Sequence, residues 1–276
     1  MRSYWFVLGL GVVAAFWLIY FIAAPTTLPS LATGSYAAGA VADYGEPAVR
    51  GKVKEPVCYW SALAFILAGL GAFLWMDLTD SDADDRWMST PSLYSIPLAV
   101  LIVWLGPGSM CEHGTLDRSW GWFDATSVHW FALYVGAYVV LRLVAPADRV
   151  SDPAAVILFW GGLLVLAVPI GVLTWHFDGT RFPFTAALMG LLGVLLLCQG
   201  LGWNFGLANA PRRSWEWLIP TAACGAAGIA AQLAAGPLYR AGHVTYLHAV
   251  WHVLIALVGF FIYAYLRSES RGDTGS

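Results

Sequence analysis

His248 and His252, in the run LHAVWHVL, lie four residues apart. That spacing sets two side chains one above the other on a single helix face. Two neutral imidazoles placed so can bind one metal ion, since imidazole is a common zinc ligand; the same pair could instead hydrogen-bond to neighbouring helices. Far upstream, in GPGSMCEHGTLDRSWGWFD, Ser109 and His113 are again four apart, and Asp124 follows after a short connection. Three histidines and a water make an open, catalytic type of zinc site. Such an ion polarises a carbonyl and lowers the pKa of its water from about 15.7 toward 7. Beside it, Asp124 is the candidate general base and acid, and Ser109 the candidate hydrogen-bond donor to a developing oxyanion. This set is complete for hydrolysis of an amide or an ester.

The elements that must position these residues are membrane spans. The 276 residues are 59% hydrophobic and only 11% charged, against about 25% charged in average soluble chains. A net charge of -3 argues against nucleic acid as a partner. Four cysteines in or beside apolar runs read as buried free thiols, too few for a disulfide-stapled scaffold. Apolar runs long enough to cross a bilayer lie at about 5–24, 57–76, 91–111, 125–141, 153–175, 182–203, 217–239 and 244–266. The expected fold is therefore all-α and polytopic, a seven-helix bundle core over 57–266 preceded by one extra transmembrane helix over 1–24, which could serve as a signal anchor. Residues 25–56 are expected to form a loop, and 267–276 a disordered tail. Eight of the fourteen Lys and Arg fall on the side that carries both termini, which favours cytoplasmic termini and a site near the opposite, non-cytoplasmic face.

Depth ties the motifs together. With alternating spans, the end of the third, the start of the fourth and the start of the eighth share one side of the membrane. At about 1.5 Å rise per residue, Ser109, His113, Asp124, His248 and His252 fall within about a turn of a common plane, with Ser61 at the same level. Ionisable groups in spans are costly and mark function by default. These five read as one site, with an apolar acyl chain lying in the membrane beside it.

The pattern Ser-x3-His-x10-Asp followed by His-x3-His resembles the alkaline ceramidase family of seven-helix intramembrane hydrolases, within the superfamily that includes adiponectin-type receptors. The resemblance covers roughly 43–266. It implies a zinc ion on His113, His248 and His252, with Asp124 and Ser109 as catalytic residues. It further implies cleavage of the linear amide of ceramide or a related N-acyl lipid to a fatty acid and an amine. It also implies a calcium ion before the core, for which Asp43-Tyr44-Gly45-Glu46-Pro47-Ala48 is a degenerate match and Glu55 the later carboxylate. The ligands would be Asp43, Glu46 and Glu55 with the carbonyls of Tyr44 and Ala48, a set that suits a hard cation. Cys58 and Ala62 stand where that family has Asn.

Other readings fit the same residues: a receptor-like or lipid-binding relative with a structural metal, or a transporter or haem protein. His129, one turn inside its span, reads as structural. His176 and His243 read as solvated loop residues, and Glu112 as an interfacial group on another face from His113.

Overall fold

The computed structural model describes residues 4–23, 36–79, 88, 91–144, 152–176, 191–193, 196 and 215–268. In order, the helices are α1 (Tyr4–Ala23), α2 (Tyr36–Tyr44), α3 (Pro56–Ser61), α4 (Leu63–Thr79), α5 (Ile96–Thr115), α6 (Arg118–Val144), α7 (Pro153–His176), α8 (Leu218–Arg240) and α9 (Leu247–Arg267). A short π-helical turn, Pro91–Ser95, leads into α5, and a 3-10 turn, Trp215–Trp217, leads into α8. The molecule is an all-α, polytopic membrane protein: among the described residues, five segments are long and apolar enough to cross a bilayer. They are Pro56–Leu78, Leu93–Thr115, Pro153–His176, Leu218–Arg240 and Leu247–Arg267. The expected span over 182–203 lies almost entirely outside the described residues. Side chains such as Ile157, Leu158 and Val165 on α7 are about 70% exposed, an outward apolar face that lipid can cover.

Helix ends follow local chemistry. Pro56 occupies the first turn of α3, where a missing N–H costs nothing. Asp117 Oδ1 accepts the backbone N–H of Ser119 at 2.8 Å, and Asp152 Oδ1 accepts that of Ala154 at 2.8 Å, capping α6 and α7. The Asp117 cap starts α6 seven residues before the apolar run at 125.

The core is a stack of helices in which α5 lies between α4 and α6, α9 packs on both α8 and α4, and α7 packs on α6. Close approach of α4 and α5 depends on Gly69, where a Cβ would stand 2.6 Å from the backbone N of Val103. Small residues that bring backbones together drive packing in lipid, where burial of apolar surface adds little. The α1 helix leans on α4 through Gly9, which faces Leu70 and Phe73, and through Trp17, stacked on Trp60 with centroids 5.4 Å apart.

Two expected segments differ. The stretch 25–56 is not simply a loop, because Tyr36–Tyr44 is helical. Its Ala37, Ala40 and Val41 bury an apolar face against Leu116. Arg267 belongs to α9 rather than to a tail: it is buried, and its guanidinium donates to the Met88 carbonyl at 2.8 Å and the Ser95 hydroxyl at 3.2 Å. Residues 269–276 lie outside the described residues.

Candidate metal centre

His113 stands in the last turns of α5, and His248 and His252 in the first turns of α9. All three are buried, and they form a group in which one ring nitrogen from each lies within 4.8 Å of the others. The sequence spacing and the shared depth thus bring together imidazoles 135 positions apart, with His248 Nε2 facing His113 Nε2 at 3.2 Å.

The tautomers follow from what the other ring nitrogen of each histidine touches. His113 Nδ1 lies 2.6 Å from Glu55 Oε2. His248 Nδ1 meets the side-chain oxygen of Gln232. His252 Nδ1 lies 3.1 Å from the Cys58 carbonyl and 2.7 Å from Ser61 Oγ, whose own hydroxyl donates to that carbonyl at 2.8 Å. A carbonyl or amide oxygen can only accept, and a carboxylate accepts, so each Nδ1 carries the proton and each Nε2 presents a lone pair. Two lone pairs facing at 3.2 Å repel unless a cation lies between them. Two nitrogens each about 2.0–2.1 Å from one tetrahedral zinc ion sit about 3.3 Å apart. The donor set and its spacing therefore fit a divalent ion of zinc's size. The same gap leaves no room for a porphyrin between the imidazoles.

Glu55 reaches the site through the backbone. Its N–H donates to the His113 carbonyl at 3.0 Å, and Lys54 N–H to that of Gly114 at 3.2 Å, pinning this strand of chain along the end of α5. Burial pushes the Glu55 carboxyl above the usual carboxylate range, while its hydrogen bond and charge interaction with His113 pull the other way. A cation bound on the far side of His113 favours the ionised carboxylate. Glu55, Cys58 and His113 also fall within 4.8 Å of one another. Because Glu55 already takes the Nδ1 proton of His113, this group reads as outer support for the first site.

Ser109 Oγ lies 3.1 Å from His252 Nε2, at the edge of the histidine group. Asp124, on the first turns of α6, faces α5 at Gly108. A Cβ there would be 3.3 Å from Asp124 Cα and 3.6 Å from its Oδ1, so glycine permits the approach. Asp124 thus packs on α5 at Gly108, one residue before Ser109, and is not one of the metal-sized group.

The carboxylates expected to hold calcium take separate hydrogen-bond partners, although Glu46 and Glu55 lie near enough to interact electrostatically. Among the described residues no metal-sized group contains Asp43 or Glu46. Asp43 is largely exposed, 3.4 Å from Arg240. Glu46 is buried and accepts the N–H groups of Val57 and Cys58, both at 2.8 Å, which caps α3. Tyr44 stacks on His248 with ring centroids 4.2 Å apart and donates its hydroxyl to Glu112 at 2.6 Å. Ala48 packs beside the small cluster under α2.

Several residues escaped the sequence reading. Glu112 is not interfacial but fully buried, bonded by the hydroxyls of Tyr36 and Tyr44. Gln232 carries no charge, yet an amide inside an apolar run is itself a signal. His129 is buried, with Nδ1 2.9 Å from Thr174 Oγ1, an interhelical tie; His176 and His243 are exposed. Cys58 and Cys111 are buried free thiols, and Cys224 is a half-buried one.

These features define a multi-pass, all-α membrane protein with a buried three-histidine group able to hold a metal ion. Compared with family models, curated proteins and solved structures, the chain matches none.

Proposed function

We propose that the protein is a zinc-dependent intramembrane hydrolase that cleaves the amide bond of ceramide or a related N-acyl lipid, releasing a fatty acid and an amine. The observation that carries this reading is the meeting of His113, His248 and His252 through their unprotonated Nε2 atoms, with Ser109 at the edge and Asp124 packed against the preceding Gly108. Zinc bound there supplies a Lewis acid for the carbonyl and an acidified water. Asp124 accepts the proton that leaves the attacking water and delivers it to the amide nitrogen as the C–N bond breaks. Ser109 donates a hydrogen bond to the carbonyl oxygen as negative charge gathers on it. Apolar helix faces around the polar cluster suit an acyl chain lying in the bilayer plane.

Incubation of the purified, zinc-loaded protein with a panel of N-acyl lipids is the direct test. Release of fatty acid that stops on chelation and returns with zinc is the expected result. Stoichiometric zinc with no product from any lipid would overturn it. A second reading is favoured by one observation, the near-complete burial of all three imidazoles, two of them under the Tyr44 ring. In that reading the ion is a structural brace between α5 and α9 in a lipid-binding relative, and the same panel shows bound lipid but no turnover.

A further inference from the structure

The α8 helix is built largely of small apolar residues, and between Thr221 and Tyr239 its one amide side chain is Gln232, with no Asp, Glu, Lys, Arg or His beside it. An amide placed among apolar neighbours costs free energy unless it is hydrogen-bonded. Gln232 is half-buried, and its Oε1 is spent on the Nδ1 of His248. We infer that Gln232 is a positioning residue of the metal centre: it fixes the tautomer and ring angle of His248 so that Nε2 faces His113 and His252. This inference rests on the proposal that the three histidines hold zinc.

Three observations support it. First, each imidazole has a different Nδ1 partner on a different segment. Glu55 serves His113 from the chain before α3, Ser61 and the Cys58 carbonyl serve His252 from α3, and Gln232 serves His248 from α8. Outer partners of this kind set ring orientation and ligand basicity in metal sites. Second, His248 is the ligand whose partner comes from a helix that supplies nothing else to the site. Without Gln232 the ring can rotate about its side-chain bonds, or shift its proton to Nε2 and lose the lone pair. Third, the partner is neutral, while that of His113 is a carboxylate.

The test measures zinc affinity of the full-length protein in detergent by competition with a chromophoric chelator, with hydrolysis followed separately. Gln232→Met keeps length and apolar bulk but removes the acceptor; zinc affinity is expected to fall about 10- to 100-fold. Gln232→Glu keeps an acceptor at the same reach and is expected to bind zinc at least as tightly as the parent. A tie that merely joined α8 to α9 would instead lower the melting temperature of the zinc-free protein and leave the affinity unchanged. The inference is overturned if Gln232→Met binds within about twofold of the parent, or if Gln232→Glu weakens binding about tenfold. Should the Met variant fail to fold, the Glu variant decides alone by the same criterion. A parent that binds zinc but hydrolyses no lipid defeats the hydrolase proposal and leaves this inference standing; a parent that binds no zinc defeats both.

Discussion

Replacing His252 by alanine removes one of three nitrogens from a group already enclosed by protein. The expected outcome is loss of stoichiometric zinc by elemental analysis, together with loss of hydrolysis. Ser109→Ala and Asp124→Asn differ in kind, because neither side chain belongs to the metal-sized group. Both variants should retain zinc. Turnover should fall about 100- to 1,000-fold for the serine, as for a lost oxyanion donor, and about 100- to 10,000-fold for the aspartate. Zinc loss in either variant would show that the residue has been given the wrong role. At this scale the histidines were legible because i, i+4 spacing on a helix is a geometric statement. The Nδ1 partners were not, since Glu55 and Gln232 reach the rings through contacts spanning 58 and 16 positions that no local pattern encodes. Glu55 and Glu46 entered the expected calcium set through the family resemblance. In the fold, one turns to His113 and the other to the start of α3.

Elements are held by a few specific devices. Glu46 lies outside α3 yet satisfies two of its first N–H groups, and a carboxylate there also complements the helix dipole. Glu46→Ala should destabilise the protein by about 1–3 kcal/mol, read as a lower midpoint in thermal or denaturant unfolding, since it leaves buried donors unmet. Gly69→Val should cost about 1–3 kcal/mol, because the new side chain must push α5 away at Val103. Seven of the eight expected spans coincide with helices over most of their length, because hydropathy reports the length of chain that lipid will accept. It says less about ends: α6 begins at Arg118 because Asp117 caps it, ahead of a turn, RSWGWFD, too polar to register as apolar. It is equally silent on α2, a nine-residue helix too short to span and stabilised by what it covers.

Taken whole, the molecule joins two distant stretches of chain at one point, with α5 and α9 supplying ligands and α3, α8 and the segment before α3 supporting them. An ion binding only the folded form adds stability by mass action, about 2.7 kcal/mol when free zinc is a hundred times its dissociation constant. Chelation should therefore lower the melting temperature reversibly, and by more for the parent than for His252→Ala, which has no site left to empty. The short helix α2 adds a kinetic dimension to this equilibrium. Tyr44 lies across His113 and His248, Tyr36 and Tyr44 both fasten to buried Glu112, and the Thr245 N–H donates to the Gly45 carbonyl at 3.1 Å, so one side of the metal group is shuttered by a piece of chain fastened at several points. An ion inside can depart no faster than that shutter lifts. Stripping by excess chelator should accordingly reach a ceiling rate that further chelator does not raise, and loosening the fastening with Tyr36→Phe should lift the ceiling while leaving the resting affinity nearly where it was.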